Sequence, residues 1–129
     1  MTRDQFFESV FHLLGVEPEY LWTAYPNYAV FRHPGSQKWF AILMDLTPDK
    51  LGLPGSERVD ALVLRCGPAL TGSLLLQDGF YPAYHMNKGN WITTFLSGPV
   101  SEEELHDLLC LCYDAVAPKR KPRPAPSQS

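Results

Sequence analysis

At 129 residues, with 45% apolar and 19% charged side chains, the chain has the size and composition of one globular domain. No stretch approaches the roughly 18 apolar residues of a spanning helix, and the start Met1-Thr2-Arg3-Asp4-Gln5 lacks the basic-then-apolar layout of a signal peptide, so no membrane association and a cytoplasmic location are expected. The net charge of −3 is unevenly spread: Lys119, Arg120, Lys121 and Arg123 all follow Pro118, and removing these four from 11 basic residues leaves 7 against all 14 acids, near −7 for residues 1–117.

Thr2 followed by Gln5 reads as a capping box at the start of a helix over about residues 3–14. Phe7, Val10, Phe11 and Leu14 share one helical face, and Gly15 supplies the stop. An aromatic, Pro-containing connection, Val16 to Asn27, follows. Tyr28–His33 and Lys38–Asp45 read as a hairpin about Pro34-Gly35-Ser36-Gln37. Leu46–Arg58, with two prolines and two glycines, reads as an exposed loop. Val59–Arg65 is a third strand, and Pro68 suits the first turn of a short helix ending at Gly79. Tyr81–His85 and Trp91–Leu96 form a second strand pair across Met86–Asn90, in which Gly89 can take a positive φ. Ser101 with Glu104 is another capping box, opening a helix whose stripe is Leu105, Leu108, Leu109, Cys112 and Val116 and which Pro118 ends.

The order α-β-β-β-α-β-β-α, with strand pairs joined by tight turns, predicts an α+β two-layer sandwich with an antiparallel sheet. Residues 1–117 are read as that domain. Residues 118–129, four prolines and four basic residues with no large apolar side chain, are read as a basic tail unable to order itself.

Chemistry-bearing motifs are sparse. G-x-G-x-x-G, G-x-x-x-x-G-K, H-E-x-x-H and G-x-S-x-G are all absent, so neither catalysis nor a cofactor is expected. Cys66, Cys110 and Cys112 lack the paired spacing of a disulfide framework or zinc ribbon, which suggests reduced thiols. Cys66 with His85 could make a reactive thiolate, but nothing in the sequence places them together, and Cys66 reads as a buried small hydrophobe. Cys110 and Cys112, two apart on a helix, point to different faces and do not suggest a metal site. Glu102, Glu103 and Glu104 suit a helix start through its dipole. Trp39, Phe40, Tyr81, Tyr84 and Trp91 cluster on strands, where they can pack the core, stack bases or fill a partner's pockets. Trp39–Met44 is apolar at every position, so both sheet faces should be covered, by the tail, by a partner or by a second copy through self-association.

Tyr84-His85-Met86-Asn87-Lys88, followed after two residues by Trp91, resembles the YHMNK-x-x-W signature of the small bacterial MmcQ/YjbR-like family. Leu64–Pro68 is similar to that family's LKCDP segment and Lys38–Ala41 to its K-x-F-A strand, with Gly15-Val16-Glu17 and Leu111-Cys112-Tyr113 fitting the same template. The resemblance covers residues 2–117. It implies a CyaY-like or secretion-chaperone-like fold and a double-wing DNA-binding role. Gly89 and Asn90 stand where a basic residue and a histidine are common, Arg65 replaces Lys and Gly67 replaces Asp. On this reading the chain is a non-enzymatic DNA-binding protein. Its candidate contacts are Lys38, Tyr84, His85, Asn87, Lys88, Trp91 and the tail residues Lys119, Arg120 and Lys121. The rival reading is a protein-interaction or chaperone-like module using the aromatic sheet face.

Overall fold

The computed structural model describes residues 1–118, so the expectation for the basic tail lies outside the described residues except at Pro118. The element order is α1 (Arg3–Leu14), β1 (Ala29–Arg32), β2 (Trp39–Leu46), β3 (Val59–Arg65), α2 (Gly67–Leu74), β4 (Tyr81–Pro82), β5 (Trp91–Phe95) and α3 (Glu102–Ala115). The strands form one antiparallel sheet in the order β1-β2-β3-β5-β4, which is the predicted α+β arrangement. No helix among the described residues is long and apolar enough to cross a membrane.

The Thr2/Gln5 capping box opens α1 with both of its hydrogen bonds, and Gly15 closes the helix at φ 68°. Arg3 fastens this end to the sheet: its Nε and Nη2 donate to Asp60 Oδ1 at 3.1 and 2.9 Å, and its Nη1 to the Asn27 carbonyl at 2.7 Å. The buried face of α1 is Phe6 and Val10, with Phe7 and Leu14 packed beside them, whereas Phe11 is 57% exposed. The predicted stripe is therefore rotated by about one residue, because the helix rests on Phe31 through Phe6 and Phe7.

All three helices lie on one face of the sheet. Phe6, Val10, Leu74, Leu105, Leu108, Leu109, Cys112 and Val116 pack there against Phe31, Phe40, Leu43, Leu62, Leu64 and Ile92. Opposite this core a second cluster, Tyr28, Val30, Ile42, Met44, Leu46, Ala61, Val63, Ala83 and Trp91, contains no helical residue. A register shift between Phe31 and Arg32 pairs Arg32 with Trp39, turns Phe40 and Ala41 both toward the helices, and leaves Trp39 on the second cluster. The apolar run Trp39–Met44 thus serves two cores at once.

Several boundaries differ from expectation. Leu46 is the last, buried residue of β2, and a 3-10 turn, Pro48–Leu51, interrupts the loop after it. The second helix stops at Leu74, not Gly79, as the Leu76 and Gln77 amides turn to the tighter i−3 carbonyls of Ser73 and Leu74. The fourth strand is two residues long, since Pro82 has no N–H with which to extend the ladder. At α3 only half the predicted box forms, the Glu104 amide donating to Ser101 Oγ.

Candidate binding cleft

The helix-free face of the sheet is roofed by two irregular segments of the same chain. The first is the connection before β1. Glu19 bridges Val30 through both backbone groups, at 2.8 and 2.9 Å, and its carboxylate takes two hydrogen bonds from Arg32, each 3.0 Å. Thus anchored, the chain makes consecutive turns in which Tyr25 N–H donates to the Trp22 carbonyl and Tyr28 N–H to that of Tyr25. These turns fold the aromatic rings onto one another: Trp22 meets Trp39 edge-on at 5.7 Å and Tyr28 at 6.0 Å, while Tyr25 stacks on Tyr28 at 4.7 Å and 16°.

The second roof segment is residues 83–90. Asn87 organises it: its Oδ1 accepts from the Gly89 amide at 2.8 Å, and its carbonyl accepts from the Asn90 and Trp91 amides. Lys88 Nζ donates to the Ala83 carbonyl at 2.8 Å, joining the loop's two ends. The Asn90 carbonyl accepts from both Cys66 and Gly67 amides, at 2.8 and 3.0 Å, which pins the loop to the β3–α2 junction. The positive φ expected at Gly89 falls instead on His85, at 60°, and the His85 ring rests 3.8 Å from that of Tyr84. At Gly89 a Cβ would come within 3.2 Å of Asn87 Oδ1, a tight contact against the atom that accepts from the Gly89 amide.

Between the two segments lies a cleft of about 270 Å³ lined by Trp22, Tyr25, Tyr28, Ile42, Met44, His85 and Met86. A second hollow of about 210 Å³ adjoins it, sharing Tyr25 and Tyr28 and adding Asp45, Lys50, Arg58 and Tyr84. One end is therefore aromatic and thioether-rich, and the other carries fixed polar groups. Asp45 is held there by Asn27 Nδ2 at 3.1 Å and by Arg58, whose Nη1 also donates to the Asp45 carbonyl at 3.1 Å. Burial, then the neighbouring Tyr84 and Asp45, push the Tyr28 hydroxyl above its ordinary pKa of 10.0. Among the described residues no group of three or more His, Cys, Asp or Glu side chains is placed to hold a metal ion.

The structure distributes the predicted contacts unevenly. Tyr84 and His85 line the two hollows, and Trp91 is buried in the cluster beneath them. Asn87 and Lys88 are engaged within their own loop. Lys38 is exposed and belongs to the β1–β2 turn, where its amide donates to Ser36 Oγ. Pro118 lies against Gly35 of that same turn. Lys119, Arg120 and Lys121 lie outside the described residues. Trp22, Tyr25, Tyr28, Met44, Lys50, Arg58 and Met86 were not singled out from the sequence as site residues. The spacing of Tyr20, Trp22, Tyr25 and Tyr28 in a segment with no strand or helix pattern was the available signal.

A protein-family model described as YjbR matches residues 12–115. The chain is similar to an uncharacterised protein of Bacillus subtilis (strain 168), YyaQ, with 38% identity over 109 residues, 84% of this chain and 92% of that protein. A crystal structure of a Pseudomonas syringae protein superposes with a TM-score of 0.86 at 42% identity, covering 90% of this chain and 99% of that one. A Deinococcus radiodurans protein, DR2400, shares the fold at a TM-score of 0.66 and 22% identity, covering 89% of this chain and 78% of that one.

Proposed function

The chain belongs to the YjbR family, and from that premise we propose that it is a non-enzymatic, cytoplasmic binding protein whose binding site is the aromatic cleft on the helix-free sheet face. The observation that carries this reading is the cleft itself, walled by Trp22, Tyr25, Tyr28, Met44 and Met86. At about 270 Å³ it is smaller than most small-molecule pockets but suits one large side chain. Aromatic anchors of protein partners dock in apolar pockets of this kind, and Lys50 in the adjoining hollow, next to the Asp45–Arg58 pair, offers a cation to a carboxylate beside the anchor. The occupant is thus an aromatic residue of a partner protein flanked by an acidic one.

Titration with indole, followed by nuclear magnetic resonance, tests the cleft. Perturbations should concentrate at Trp22, Trp39 and Met86, and Met86→Trp, which fills the cleft, should remove them while leaving the unfolding midpoint nearly unchanged. Perturbations scattered over the helices, or none, would remove the proposal.

A nucleic-acid reading is favoured by one separate observation: Pro118 abuts Gly35 of the β1–β2 turn, which also carries Lys38, so in sequence the four basic residues begin next to that turn. Phosphate attraction would then rest on Lys38 and the tail, because residues 1–117 are near −7. In a low-salt DNA titration, a chain ending at Ala117 should lose most of the affinity of the full chain. Equal affinity would place the contact on the folded domain, and no binding by either would end this reading.

A further inference from the structure

We propose that Cys66 and Cys112 are a redox pair, which a peroxide closes into an intramolecular disulfide. Their sulfurs lie 3.3 Å apart although the residues are 46 positions apart in sequence, and both thiols are free. A disulfide needs a separation of about 2.05 Å, so closure asks for a shift on the order of 1 Å. No other pair among the three cysteines is in contact among the described residues.

The two positions differ in a way that assigns the steps. Cys112 sits on the buried face of α3 within the main core, 1% exposed. Cys66 is half-buried at the N-cap of α2, where solvent reaches it. The bond to the Cys66 thiol and its own burial raise the pKa of the Cys112 thiol, so the more accessible partner is the one that meets the oxidant. The Cys66 thiolate sulfur attacks one peroxide oxygen, the O–O bond breaks, and the leaving oxygen departs as water, or as an alcohol from an alkyl peroxide, once protonated. This leaves Cys66 as a sulfenic acid. The Cys112 sulfur then attacks the Cys66 sulfur, loses its proton, and displaces the hydroxyl as a second water. Two thiols give up two electrons and two protons, and the peroxide O–O bond is fully reduced. Cys110, also half-buried but on another side of α3, takes no part and serves as an internal control.

Thiol counting and peptide mass mapping after brief exposure of the full chain to hydrogen peroxide test this. Free thiols should fall from three to one, with a single linked peptide joining Cys66 to Cys112 and full recovery on addition of dithiothreitol. Cys110→Ser should change none of this. Cys112→Ala, a small apolar replacement suited to the core, should instead leave a sulfenic acid at Cys66 that dimedone traps. Sulfinic acid at Cys66 without a link, intermolecular disulfides, reaction confined to Cys110, or three unreacted thiols would each overturn the proposal.

Discussion

Lys88 is the residue whose charge most invites a ligand, yet its ammonium donates to the Ala83 carbonyl and closes the loop that carries it. Lys88→Met keeps the aliphatic stem and leaves that carbonyl unpaired, and should lower stability by about 1 kcal/mol. Asn87→Ala removes the acceptor for the Gly89 amide and should cost a similar amount, about 1 kcal/mol. Urea denaturation with an unchanged m-value is the check for both. No change in midpoint for Lys88→Met would free the side chain for a partner. Tyr28 gives a pH dependence. Its raised pKa favours the protonated phenol in the folded state, so its contribution is fully present below pH 10.0 and lost as pH rises through the folded value. Tyr28→Phe should flatten that alkaline decline in melting temperature, and a decline as steep as before would assign it elsewhere.

Among the elements, those announced by local chemistry were legible in sequence and those set by distant contacts were not. The Thr2/Gln5 box and Gly15 delimit α1, and β3 lies at Val59–Arg65, because capping and turn residues act within a few positions. The facing of α1 was misplaced at Phe11, because which side of an amphipathic helix is buried depends on the sheet residues beneath it. The cleft was the least legible part. Its aromatic roof has no period, being held by the Glu19 bridge, the Arg32 ion pair and Arg3, which are contacts across the sequence. YHMNK marked the other roof segment, in which Asn87 and Lys88 build the loop while His85 and Met86 line the cleft and Tyr84 the adjoining hollow. Two predictions belong to this scale. Thr2→Ala should destabilise by about 1 kcal/mol as a lost cap. Asp60→Asn should weaken the clamp from α1 to β3 that also holds Asn27, lowering the melting temperature and loosening the Trp22–Tyr28 roof, read as a red shift of Trp22 fluorescence.

For the whole molecule, the run Trp39–Met44 no longer calls for a second copy, since Ile42 and Met44 are 0% and 3% exposed within one chain. Sedimentation at micromolar concentration should therefore give a monomer, and a dimer would have to use a different surface, such as that around Phe11 or Leu111. The helical layer and the cleft layer meet through the sheet and also at one atom, the Asn90 carbonyl, which takes the amides of Cys66 and Gly67 from the start of α2. Those two protons bond to the residue that joins the loop to β5, one rung beyond the Arg65–Trp91 pair of the ladder. Their exchange with deuterated solvent is expected to follow release of that junction between loop and β5, whereas the last turn of α2 is protected by its own helix. In a time course of labelling, Cys66 and Gly67 should act as a clock for that release, ticking at the rate of a structure they are not part of.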